Sequence, residues 1–138
     1  MTTKSQRSEN LFSAVPYFMQ DITRIFDILD KQKTSLPLEN ALVAKINGDW
    51  KPSSTASFAE TANCVSFALW SLGLTKDDKV AVISNNRPEW NMLDMGMLQA
   101  GIVNVPLYTT LSAQETCFIL NDCGAKLIFV SDCLLYEK

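Results

Sequence analysis

The chain has 138 residues, 12 Lys+Arg against 15 Asp+Glu, 47% apolar residues and no His. This length suits one domain, burying roughly two-thirds of its unfolded surface, and the net charge of −3 excludes a general binder of nucleic acid or anionic membrane. The missing histidine removes the commonest general base, every Ser-His or Cys-His nucleophile pair and the commonest metal ligand, so by composition the chain is a poor candidate for a complete enzyme.

Residues 1–10 are polar and read as disordered. From Leu11 an apolar stripe runs through Val15, Phe18, Ile22, Ile25 and Leu29 at helical spacing, with Asp21, Arg24, Asp27 and Lys31 on the other face. Mixed charge there suits docking on protein rather than on lipid. Pro16 lies where the regular helix begins. Residues 34–40 form a connector. Ala41 to Ile46 reads as a strand, Asn47-Gly48 as a hairpin turn and Trp50 as part of the return strand. Together residues 11–56 are expected to form an N-terminal helix and hairpin. Lys51 to Thr55 is expected to be a loop, and Ser57 with Glu60 a capping box. The helix beyond it aligns Phe58, Ala62, Val65, Leu69 and Leu72 and stops at Gly73.

From residue 57 onward the pattern is regular. Lys79 to Ser84 is a strand; Asn85-Asn86 turns, with Asn86 as cap and Pro88 in the first turn of a helix that ends at Gly101. Ile102 to Val105 is a strand closed by Pro106. Ser112 and Glu115 form a capping box for a helix ending at Gly124, and Lys126 to Val130 is a third strand, its apolar run suggesting burial on both faces. Ser131-Asp132 caps one more helix. Met92, Met95 and Met97 read as packing residues. Strand-helix-strand-helix-strand with short links predicts the α/β class. Its architecture is a partial doubly wound, Rossmann-like parallel sheet of about three strands with flanking helices, preceded by the N-terminal helix and hairpin. Residues 57–138 read as the first part of such a unit, cut off as the next repeat begins.

Candidate chemistry is sparse. The glycines fall at Gly48, Gly73, Gly96, Gly101 and Gly124, which makes neither a P-loop nor a dinucleotide fingerprint. Asp77-Asp78 precede a strand, whereas ligand sites in open α/β sheets lie beyond strand carboxyl ends, so they read as turn residues rather than a metal pair. Two segments do follow strands: Asn85-Asn86-Arg87-Pro88-Glu89-Trp90 and Pro106 to Ser112. Arg87 there could hold an anion and Tyr108 could stack on a flat group; alternatively Trp90 anchors its helix and Arg87 pairs with a nearby carboxylate. Cys64, Cys117, Cys123 and Cys133 form no C-x-x-C pair, and no signal peptide or membrane span is legible, so a reduced, cytoplasmic protein is expected.

Leu72-Gly73-Leu74, Asp78 to Val82, Ser84 to Trp90, Gln99-Ala100-Gly101 and Asn104 to Tyr108 resemble, in order and spacing, the adenylate-forming (AMP-binding) enzyme family. N-R-P-E-W followed by V-P-L-Y-x-T-L-S is most similar to its long-chain fatty acid–CoA ligase branch. Asp77 stands where the family usually has Gly. The resemblance implies a parent several times longer that activates a fatty acid with ATP and Mg2+ to an acyl-adenylate and passes it to coenzyme A. It also implies that 1–138 is scaffold, inactive alone, with no catalytic, cofactor-binding or metal-binding residue and no nucleic-acid partner. Its partners are then the rest of the parent chain and, through uncovered sheet or helix faces, itself; a parent peripheral to the membrane is compatible with the resemblance. A free-standing flavodoxin-like binding module, or a ligase acting on another carboxylate, are the alternatives.

Overall fold

The computed structural model describes residues 22–138. Ten elements follow: α1 (Asp27–Ser35), β1 (Leu42–Ile46), β2 (Asp49–Ser53), α2 (Thr55–Ser71), β3 (Lys79–Ile83), α3 (Pro88–Ala100), β4 (Val103–Leu107), α4 (Ala113–Cys123), β5 (Leu127–Val130) and α5 (Cys133–Tyr136). The disordered start expected over 1–10, and the helical stripe before Ile22, lie outside the described residues. Within them the helix begins only at Asp27. The Asp27 carboxylate reaches back to accept from Thr23 N at 3.2 Å and Arg24 N at 2.8 Å, closing a turn where the stripe predicted helix. Ile25 is therefore exposed while Leu29 is buried. The Thr34 hydroxyl donates to Asp30 O at 3.0 Å as the helix continues to Ser35, into the expected connector.

The hairpin forms as the sequence predicts. Asn47 (φ 52°) and Gly48 (φ 92°) both occupy the left-handed region that a type I′ turn requires. The expected loop over 51–55 is corrected: β2 continues to Ser53, with Pro52 opposite Val43. Pro52 is tolerated because the β2 edge away from β1 is unpaired and needs no donor there. The cap of α2 is also corrected. Ser54, not Ser57, precedes the helix and accepts from Ser57 N at 3.1 Å, since Ser57 already sits in the first turn with its amide in need of an acceptor. The buried side of α2 is Thr55, Ala59, Ala62, Ser66 and Leu69, and Leu72 is exposed beyond it.

The three remaining strands are parallel, in the order β4-β3-β5. β3 is central, and Val80 to Ile83 are all buried. Val80 and Val82 face Leu69 of α2 and Met97 and Ala100 of α3. Ala81 and Ile83 face the other way, toward Leu107 of β4, Ile119 and Leu120 of α4 and Leu135 of α5. Helices thus cover both faces, the doubly wound arrangement read from the sequence. β5 lies at an edge rather than inside; Ile128 is 37% exposed, which corrects the expectation of a strand buried on both faces. β4 runs through Pro106 instead of closing before it. Val103 N donates to Asp78 O at 2.8 Å, so by strand alternation the backbone of 104 and 106 turns away from β3, where a missing N–H costs no ladder bond.

The tightest contact joins α2 to α3. A Cβ on Gly96 would lie 2.6 Å from Val65 Cβ and 2.8 Å from Ala62 O. The buried Ser66 hydroxyl donates across the same contact to Gly96 O at 2.8 Å. Gly96→Ala is accordingly expected to lower stability by about 1–3 kcal/mol through overpacking. A chemical denaturation midpoint unchanged by this substitution would show that the helices are not so closely apposed.

Candidate functional site

The connection after β3 leads to α3 on one face of the sheet, and that after β4 leads to α4 on the other. Adjacent parallel strands whose connections part in opposite directions open a crevice at their carboxyl ends, the usual ligand position in open α/β sheets. Such a crevice is present, about 440 Å3 in volume, lined by Ser84, Asn85 and Asn86 of the first loop with Trp90 of α3, and by Pro106 and Leu107 at the end of β4 with Tyr108 and Thr109 of the second loop. The structure therefore brings together the two segments singled out by sequence. The Tyr108 side chain is 81% exposed at the mouth, its ring open to stacking.

Arg87 does not enter this crevice. Its guanidinium grips Glu89 in a two-pronged pair, Nε to Oε2 and Nη2 to Oε1 both at 2.9 Å, while Nη1 donates to Ser131 O at 3.1 Å. Of the two sequence readings, pairing with a carboxylate is the one found, and the Arg87 hydrogen bond holds the Glu89 carboxyl below its usual range. Trp90 packs on the core as expected. Asn86 is not the cap of α3. Arg87 holds that position with extended backbone and no side-chain cap, a workable start because Pro88 at the head of the helix has no N–H to satisfy.

Sequence reasoning missed a third contributor. Ser131 and Asp132, after β5, meet the loop after β3: Asn85 N donates to Ser131 Oγ at 3.3 Å and Asn85 Nδ2 to Asp132 Oδ2 at 3.1 Å. Asp132 also caps α5, accepting from Leu135 N at 3.0 Å as the sequence predicts. That backbone bond, then the Ser131 hydroxyl and, after them, Asn85 hold the Asp132 carboxyl below its ordinary value. The available signal was topological, since parallel strands release their following loops at one edge of the sheet.

Asp77 and Asp78 lie at the opposite edge and serve the turn. Asp77 adopts φ 69°, the left-handed region that glycine enters without strain. Asp78 accepts from Thr75 N at 2.8 Å and pairs with Lys126 Nζ at 2.7 Å. Gly73, Gly101 and Gly124 all have positive φ at helix ends, the role read from the sequence. Among the described residues no group of three His, Cys, Asp or Glu side chains is placed to hold a metal ion, and no helix is long and apolar enough to cross a membrane. The crevice offers amides, hydroxyls and a phenol, donors and acceptors that can bind and orient a ligand.

Comparison with known proteins is consistent along the chain. Residues 29–138 match the family described as AMP-binding enzyme. Fatty acyl-CoA synthetase A of Dictyostelium discoideum is 32% identical over 119 residues, covering 86% of this chain and 18% of its own length. Long-chain-fatty-acid–CoA ligase 1 of Homo sapiens is 29% identical over 136 residues, covering 91% of this chain and 19% of its own. A solved fatty acyl CoA synthetase from Mycobacterium tuberculosis superposes with a TM-score of 0.67 at 30% identity, over 78% of this chain and 21% of that one. The chain thus spans less than a fifth of the length of these curated relatives.

The loop contacts make stability depend on pH. Asp78, Glu115 and Asp132 all have lowered pKa values in the folded state, so each stabilises the fold above the ordinary carboxylate pKa of about 4 and loses that contribution as pH falls through its depressed value. Thermal midpoints are expected to stay level from neutral pH down to about 5 and to fall in more acid solution. Asp132→Asn should give a shallower fall, and a midpoint that rises on acidification would contradict these contacts.

Proposed function

The chain belongs to the AMP-binding enzyme family, and from that membership we propose that it is the N-terminal segment of a long-chain fatty acid–CoA ligase. The parent activates a fatty acid with ATP to an acyl-adenylate and transfers the acyl group to coenzyme A. The observation that carries this reading is the family match over residues 29–138 together with curated relatives named for fatty acyl-CoA synthesis. Membership in the family sets aside the free-standing flavodoxin-like module.

ATP, Mg2+ and coenzyme A are the groups such a parent uses. The residues present do not fit the nucleotide or the metal. The chain has no glycine-rich phosphate loop, and its described residues gather no metal-binding carboxylates. No chemical step is therefore placed on 1–138, and none of its residues is assigned a catalytic, cofactor-binding or metal role. Its part is scaffold: β3 and its two helical layers fix the crevice and the three loops around it. The uncovered edges of β4 and β5 give the segment a tendency to self-associate when expressed alone. The reading places the parent in the cytoplasm, peripheral to membranes.

A second reading concerns the acid. A solved anthranilate CoA ligase superposes with a TM-score of 0.65 at 26% identity, so an aromatic carboxylate is the competing substrate class. The test is thioester formation by the full-length polypeptide. Palmitate is expected to support ATP-dependent acyl-CoA formation and anthranilate is not, while residues 1–138 alone should give no acid-dependent pyrophosphate exchange. Preference for anthranilate would move the assignment to the aromatic class, and exchange by the isolated segment would defeat the scaffold reading.

A further inference from the structure

A second groove, of about 720 Å3, lies between the β1–β2 hairpin and the loop that follows β3. Along one side it touches Leu42, Val43, Ala44, Lys45 and Ile46 in unbroken succession. A groove against the face of a strand meets alternate residues, so contact with consecutive ones places it along the strand's edge. β1 has a single partner, β2. In a hairpin closed by a type I′ turn the flanking residues, here Ile46 and Asp49, exchange both backbone bonds, and Ala44–Lys51 and Leu42–Ser53 follow the same alternation. Val43 and Lys45 consequently point N–H and C=O away from β2, into the groove, and neither has a backbone partner beyond the hairpin among the described residues.

The opposite wall carries the side-chain amides of Asn86 and Asn91, which make no hydrogen bond among the described residues. The charges nearby are already engaged. Arg87 grips Glu89, and Lys45 Nζ lies 5.9 Å from the centre of the Trp50 ring. What remains free is amide chemistry on both walls: a row of backbone donors and acceptors on one, primary amides on the other. That is the complement of an extended polypeptide backbone. We propose that the groove holds an extended strand that adds to the free edge of β1, contributed by the remainder of the same polypeptide. The inference rests on the reading of the chain as part of a longer ligase. The relatives' own lengths are matched only to 18% and 19%, which leaves ample further chain to supply such a strand. A second copy is a poorer occupant, because it would bring a whole hairpin into a space walled on both sides.

The test uses the full-length polypeptide. Amide hydrogen exchange at Val43 and Lys45 is expected to be about 100-fold or more slower than at an unpaired edge. A photo-crosslinking residue in place of Val43, which is exposed, is expected to join to a position beyond 138 in the same polypeptide. Rapid exchange at both amides overturns the proposal, as do crosslinks found only within 22–138, to a second copy or to another protein. Thioester formation is followed on the same sample. Rapid exchange in an active ligase defeats the groove assignment alone, whereas protected amides in a protein without fatty acid-dependent activity defeat the ligase reading alone.

Discussion

Burial of β3 on both faces, with a partner strand on each edge, is the constraint on which the rest of the structure hangs. Val80 and Val82 seat α2 and α3, and Ala81 and Ile83 seat α4 and α5. Full burial of a Val or Ile side chain is worth about 1.5–3 kcal/mol, so Val80, Val82 and Ile83 alone hold a sizeable share of a domain's net stability. No charge is tolerated along such a strand, and none occurs between Val80 and Ile83. Because both neighbours run parallel to β3, the loops that follow all three strands emerge at one edge. The crevice and the Asn85–Ser131–Asp132 contacts are consequences of that single arrangement.

The α2–α3 contact extends the same logic toward the N-terminal elements. Gly96 lets the helix backbones approach where any side chain would collide, and the buried Ser66 hydroxyl ties them together, within hydrogen-bond distance of Ala62 O on its own helix and of Gly96 O and Gln99 Oε1 on the other. Leu29 of α1 packs in turn on Ala59 and Ala62 of α2. The small residues of α2, which look undistinguished in sequence, are what allow successive layers to stack against the sheet.

Signals carried by neighbouring residues were legible; those that depend on who lies beside whom were not. Asn47-Gly48 announces its turn because both residues tolerate positive φ, and Ser112 with Glu115 announces its cap because the two groups satisfy each other. Ser57 with Glu60 has the same spacing, yet Ser54 upstream wins because the helix can start earlier. Pro52 and Pro106 read as strand stops, since sequence does not reveal which N–H groups face away from a ladder. The run Leu127 to Val130 reads as a central strand because apolar content does not report strand order. For the site, both lining loops were found by their place after strands. The meeting of Asn85 with Ser131 spans a separation of 46 residues and exists only because β5 docks beside β3.

The resemblance to adenylate-forming ligases and the physical reading meet at β3, whose α/β layer sets the crevice between the loops that follow the strands. The most direct test of that account is the tolerance of charge on the two faces of β3. Ala81→Asp and Val82→Asp should each abolish the cooperative unfolding transition, since each would bury an unpaired carboxylate on a different face. Val103→Asp, on the exposed side of an edge strand, should leave the transition in place. A chain that keeps its transition with Asp at position 81 or 82 would show that face of β3 to be open, and the doubly covered sheet would be wrong.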